Sequence, residues 1–177
     1  MEFNIITTER LKLRKITPEV FQFVFSNYED SEIMKFFGYS EESLQVWKDR
    51  LERGLTMFNK TLLYFHILDK DADALIGWCG YHTWYENHRR AEIGYEIYDE
   101  SYKGKGIMTE AMHPILDYGF NEMNLHRIEA LVEPNNVGSL KIMDNFGFIQ
   151  EGHLKEHYIK DAIIEDSLVF ALFRKNK

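Results

Sequence analysis

Cysteine is nearly absent, with one in 177 residues. An intrachain disulfide is therefore excluded, as is a zinc site built from several thiolates. Proline is scarce at 3 residues, and with only 11 glycines the chain is neither collagen-like nor low in complexity. No apolar run approaches the roughly 18 residues of a membrane span. The opening MEFNIITTERLKLRK lacks the basic-then-apolar order of a signal peptide. Together these absences imply a cytoplasmic protein that does not engage a membrane. Positive charge is also short: 21 Lys and Arg stand against 29 Asp and Glu, a net charge of -8. Such a surface repels a phosphate backbone, so nucleic acid is not expected as a partner, whereas cationic ligands are mildly favoured.

What is present is a core-forming composition, 45% hydrophobic and 15% aromatic. No repeat and no Ser/Gly/Pro linker divides it, so residues 1–177 read as one domain. Arg10 to Lys15 alternates as a strand with Leu11 and Leu13 on one face. Thr17-Pro18 starts a helix to about Asn27, and Ser40 to Ser43 starts another bearing Leu44, Trp47, Leu51 and Leu55. Strands follow over Leu62 to Leu68, Leu75 to Tyr85 and Arg90 to Ile97, joined by short polar turns that suggest an antiparallel meander. Then come a helix to about Glu122, a strand over Arg127 to Val132 and a helix over Asn136 to Asn145. Strands over Phe148 to Leu154 and Glu165 to Phe173 close the chain. The fold class is α/β, a mixed sheet with helices on both faces. Asn136 is a fitting N-cap, Gly147 a fitting C-terminal stop, and Pro114 should kink its helix.

The segment Arg90 to Met112 runs strand, loop with two glycines, helix. Glycines let backbone approach a ligand, and a helix start offers unpaired N–H groups and a positive dipole end. That combination suits a pyrophosphate, and Lys103 and Lys105 add positive charge. An ordinary glycine turn is the plain alternative. A P-loop is absent, and the dinucleotide fingerprint fails because position 109 is Thr where a third glycine is needed.

Several ordered blocks resemble the GNAT superfamily of N-acetyltransferases, most closely its ribosomal-protein N-terminal acetyltransferase branch. They are TERLKLRKIT, AEIGYEI, YKGKG with TEAM, HRIEA, Asn136 with Ser139, and NFGF followed by EG. The resemblance spans nearly the whole chain and is weakest from Phe21 to Thr61. It implies a V-shaped mixed sheet whose middle strands splay apart around acetyl-CoA, with no metal. It also implies a coenzyme site formed by Ile97, Tyr98, Lys103, Gly104, Lys105, Gly106, Ile107, Met108 and Thr109, together with Asn136 and Ser139. Two positions depart from the family's loop: Lys103 replaces Gln or Arg, and Met108 replaces a small residue. Family members commonly pair as homodimers; nothing in the sequence fixes that here.

The implied reaction is direct acetyl transfer to an amine, with a backbone N–H of the Arg90 to Ile97 strand polarising the thioester carbonyl. Glu92 and Glu96 share one face of that strand by alternation and are the candidate bases, or attractors of a cationic amine. Many family members use a helix tyrosine as acid, four residues before the glycine of G-F; here that position is Met143. Ser139 is the alternative acid, with helix capping its structural role. The acceptor is either a protein N-terminus, with ribosomal proteins the class to which the resemblance points, or a small cationic amine such as a polyamine, aminoglycoside or amino acid. A non-catalytic acyl-CoA-binding module is the competing class. Cys79 reads as a buried thiol, and His153 and His157 do not suggest a metal site. Trp78, Tyr81, Trp84 and Tyr85 read as core more than as a substrate cage.

Overall fold

The computed structural model describes residues 1–52, 63–160 and 162–175. Its elements are β1 (Ile5–Thr7), β2 (Leu11–Ile16), α1 (Pro18–Asn27), α2 (Asp30–Phe37), α3 (Glu41–Glu52), β3 (Leu63–Asp69), β4 (Leu75–Tyr85) and β5 (Arg90–Ile97). They continue with α4 (Ile107–Asn121), β6 (Arg127–Val132), α5 (Val137–Phe146), β7 (Ile149–Lys160) and β8 (Ile163–Phe173). The strands form one sheet in the order β1-β2-β3-β4-β5-β6-β8-β7. The expected mixed sheet is present, with β1 and α2 as additions. Leu55 and Leu62, expected in the third helix and the next strand, lie outside the described residues. The last two strands need correction: β7 runs past Leu154 to Lys160 and β8 starts at Ile163, making a long hairpin.

Local chemistry accounts for the helix ends. The Thr17 hydroxyl accepts from the Val20 amide at 3.4 Å, and Pro18 occupies the first turn of α1. Asn136 Oδ1 accepts from the Ser139 amide at 3.0 Å, and Gly147 ends α5 at φ 72°. Pro114 does not interrupt α4, which continues to Asn121.

Helices cover both faces of the sheet. On one, Ala111, Met112 and Ile115 of α4 and Met143 of α5 pack on Phe65, Ile67, Ala91 and Ile93. On the other, Val20, Phe21 and Val24 of α1, Ile33 and Phe37 of α2 and Leu44 of α3 pack around Ile16 and Tyr64. The Tyr81 hydroxyl donates to the Ile115 carbonyl at 2.8 Å and ties α4 to β4.

The sheet has a single parallel seam, β5 with β6. It pairs Arg90–Glu92 with Arg127–Glu129 and then stops. Beyond Glu92, β5 keeps only β4 as a partner, and beyond Glu129, β6 keeps only β8. One edge of β5 from Ile93 to Ile97 is thus left without a neighbouring strand, and the sheet opens between its middle strands.

Candidate active site

The opening is flanked by two helix starts, those of α4 and α5. Gly106 is the N-cap of α4 at φ 74° and supplies no capping side chain, so the first amides of the helix are not closed off by one. Gly104 also has positive φ, 71°, and a Cβ built there would meet nothing within 4 Å. The left-handed backbone turns the loop, and the absence of side chains leaves its amides approachable.

Arg10 shapes this loop. Its Nη1 donates to the Lys105 carbonyl at 3.0 Å, and its Nε donates to Glu110 Oε2 at 2.6 Å. Glu110 also accepts from the Thr8 hydroxyl at 2.6 Å and the Arg10 amide at 2.8 Å. A carboxylate in the first turn of α4 would compete with a phosphate for the helix start, and these partners hold it toward β2 instead. Arg10 sits in the TERLKLRKIT block, but its role could not be read there, because its partner is a hundred residues away.

A groove of about 520 Å³ follows the opening. Of the residues expected at the coenzyme site, Ile97, Lys103, Gly104, Gly106, Ile107, Met108, Thr109, Asn136 and Ser139 line it together. Lys105 contributes its carbonyl to Arg10, and Tyr98 lies beside Gly38 at the end of α2; neither lines the groove. The Met108 side chain is buried in the core, so the longer side chain does not stand over the loop. Lys103 pairs with Glu100 at 2.5 Å on the surface, an exposed pair of small worth that a phosphate can displace. The groove fits acetyl-CoA: open amides and cations at one end, and an unpaired strand edge at the other. When bound, acetyl-CoA would supply an activated thioester, and the loop amides, Lys103 and Asn136 are the groups that would hold it.

Tyr95 also lines the groove and was not anticipated. Its ring is on the core face of β5, and its buried hydroxyl has no hydrogen-bond partner among the described residues. Burial pushes its pKa up to about 12, and the nearby Ser139 hydroxyl eases that shift. An unpaired buried hydroxyl costs about 1–3 kcal/mol, so its presence calls for an explanation.

The other face of β5 carries Glu92, Gly94 and Glu96. A Cβ at Gly94 would meet His82 Nε2 at 2.9 Å and Trp78 Cη2 at 3.0 Å, so these rings lie over the bare strand between the two carboxylates. Thr83, at φ 51°, breaks the alternation of β4: Trp78 packs with the α1–α3 layer, whereas Tyr81 and Trp84 pack with the α4 layer. Glu92 is half-buried and faces His82 Nδ1 at 3.7 Å. Burial raises its pKa, His82 opposes the rise, and Glu129 adds to it. Glu129, its neighbour across the seam, is held by Arg90 at 2.7 Å and Arg127 at 2.6 Å. Glu96 is exposed and accepts a long contact of 3.4 Å from Trp78 Nε1.

A second cavity of about 660 Å³ lies at the far end of α4, lined by Arg89, His113, Phe120, Phe146 and Arg174 among others. It contains none of the candidate catalytic or coenzyme-binding residues named from the sequence. Among the described residues no three His, Cys, Asp or Glu side chains are grouped to hold a metal. His153 instead pairs with Asp166, and His157 with the Ser167 hydroxyl. No described helix is long and apolar enough to cross a membrane.

Comparison with known proteins gives the family. The acetyltransferase (GNAT) domain family matches residues 10–149. The chain belongs to that family, the acetyl-CoA-dependent N-acetyltransferases. It is 33% identical over 174 residues to p20 of Bacillus licheniformis, an uncharacterized N-acetyltransferase, with 95% of each chain covered. A GNAT-family acetyltransferase structure from Bacillus anthracis is similar with a TM-score of 0.66 and 28% identity, covering 96% of this chain and 98% of that one. Two further matches bear acceptor names. Ribosomal-protein-S5-alanine acetyltransferase from Vibrio fischeri shares the fold at a TM-score of 0.68 and 24% identity, covering 96% of each chain. Spermidine N(1)-acetyltransferase of Escherichia coli K12 is 32% identical over 87 residues, 49% of this chain and 46% of that one.

Proposed function

We propose that this enzyme moves the acetyl group of acetyl-CoA to the α-amine of a protein N-terminus, by direct attack while both substrates are bound. The observation that carries the proposal is the groove along the unpaired end of β5, lined by Glu96, Ile97 and the starts of α4 and α5, on the strand that bears half-buried Glu92 at the end of the parallel seam. Glu92 takes the proton of the attacking amine, directly or through one water. A backbone amide on the unpaired edge of β5 polarises the thioester carbonyl, an interaction of about 3 kcal/mol in comparable oxyanion sites. The lone Cys79 is fully buried and its pKa is raised by burial, which supports transfer without a covalent acyl-enzyme.

The acceptor class follows from the base. A carboxylate is a weak base even when burial raises its pKa. An α-amine of pKa roughly 8 is about one-tenth free base at pH 7, whereas an alkylammonium of roughly 10.4 is free in about one molecule in 2,500. Glu92 therefore suits the α-amine. Ribosomal proteins are the acceptor class carried in the Vibrio fischeri neighbour's name. A small cationic amine is the second reading, favoured by the placement of Glu92 and Glu96 on one face beside Trp78.

Release of CoA thiol tests both readings. Peptides with a free N-terminus should turn over, N-blocked lysine peptides should not, and spermidine should be at least tenfold poorer. Double-reciprocal plots should intersect. Parallel lines would overturn direct transfer, and spermidine outpacing every peptide would reverse the choice of acceptor.

A further inference from the structure

We propose that the cavity at the far end of α4 is a second ligand site, for a small anion carried on a flat apolar body, an aryl carboxylate in the simplest case. This site is independent of the acetyl-transfer reading, because none of the residues placed in that reaction lines it. Its floor is apolar, made by Leu116 and Phe120 of α4, Phe146 at the end of α5 and Leu172 of β8. The His113 ring packs edge-to-face on Phe146, with centroids 4.7 Å apart. Arg89, Arg174 and Lys175 line the same cavity, against one carboxylate, Asp117. That local excess of positive charge runs against the net charge of -8 for the chain. At about 660 Å³ the space is within the size range of small-molecule sites.

The way the two arginines are held points to an anion. Arg89 directly precedes β5 and has φ 51°, a left-handed conformation uncommon outside glycine. Its carbonyl accepts from the His126 amide at 2.7 Å and the Arg127 amide at 3.2 Å, which pins the backbone there. Its Nε donates to the Asn124 carbonyl at 2.9 Å, and its Nη2 donates to Asn124 Oδ1 at 2.9 Å. Arg174 Nη1 donates to that same Oδ1 at 3.0 Å. One neutral amide oxygen thus draws two guanidinium groups together. Among the described residues, neither guanidinium is paired with a carboxylate. An aspartate in place of Asn124 would cancel charge, whereas asparagine fixes the direction of both forks and leaves the charge in place. Two like charges so placed repel, and an anion between them removes the repulsion. Each fork keeps N–H donors that Asn124 does not use, which suits a planar carboxylate, and the rings of Phe120 and Phe146 suit a flat body attached to it.

Calorimetric titration at low ionic strength, with CoA in excess to occupy the groove, tests the site with three probes: naphthylacetate, its neutral amide naphthylacetamide, and inorganic phosphate. The acid should bind about tenfold more tightly than the amide, which lacks the charge, and than phosphate, which lacks the apolar body. Arg174→Gln keeps a polar side chain of similar reach without the cation. It should weaken the acid about fivefold or more and leave the amide unchanged. Equal affinity of wild type for acid and amide, or an affinity for the acid that survives Arg174→Gln, would overturn the site. Phosphate binding as tightly as the acid would overturn the ligand class, because the apolar floor would then contribute nothing. If the variant fails to fold, the comparison of acid with amide in wild type decides alone.

Discussion

Glu92 and Glu129 stand side by side across the β5–β6 seam, yet only one is tied up. Two guanidinium groups neutralise Glu129, whereas Glu92 faces a histidine at 3.7 Å. Its raised pKa means that it gains a proton at a pH above the ordinary carboxylate range. A base works only when deprotonated, so kcat/KM should fall as pH drops through that raised value. Glu92→Gln should lower kcat/KM about a hundredfold and flatten this acid limb, measured by thiol release from pH 5 to 9. A variant that keeps the wild-type limb would assign it to another group. Strand alternation made Glu92 and Glu96 legible from sequence as a pair on one face. It could not rank them, because the ranking depends on Arg90 and Arg127 holding Glu129 and on the burial of Glu92. Tyr95 escaped notice for a related reason: a tyrosine at an inward strand position reads as packing, and its unpaired hydroxyl exists only in three dimensions.

At the scale of elements, the caps and the glycine loop were readable because each is local: Thr17, Asn136, Gly106 and Gly147 act within four residues of themselves. Two short elements were not. In α2 the N-cap is Glu29, outside the usual Ser, Thr, Asp and Asn, and its amide donates to Glu32 at 2.9 Å. The far half of the β7–β8 hairpin carries exposed Ile159, Ile163 and Ile164, so no buried face marks it as strand. Asp166 secures its bulge instead. It accepts from the Glu156 amide at 2.8 Å, from Lys155 at 2.9 Å and from His153 at 2.7 Å, with Glu156 at φ 50°. These bonds, led by the Glu156 amide, hold its pKa down at about 2. A carboxylate depressed in the folded state stabilises it fully above the unfolded value of about 3.9, and that contribution fades as pH falls toward the folded value. Amide exchange in β7 and β8 should therefore quicken between pH 4 and 2 relative to the rest of the sheet. Asp166→Asn should remove the difference; an unchanged pH dependence would refute the role.

For the whole molecule, the decisive feature is that two well-packed layers meet over a sheet that is incomplete at its centre. The α4 layer and the α1–α3 layer each bury their own core, while β5 and β6 share only three residue pairs. A ligand lying in the opening touches β5, α4 and α5 at once and binds the native state alone. Acetyl-CoA at about a hundredfold over its Kd should then contribute about 2.7 kcal/mol, several degrees in Tm for a chain of this size. Where the protection falls is the sharper observable. Amide exchange should slow along Ile93–Ile97 of β5, in the first turns of α4 and α5, and at the glycine loop, with little change in β7. Slowing confined to the ends of α4 and β8 would place the ligand in the larger cavity by Arg89, His113 and Arg174. That outcome would separate the fold, which would stand, from the site, which would move. Volume alone would favour the other cavity; what favours the groove is chemistry, because among the described residues a free strand edge and an uncapped helix start come together there.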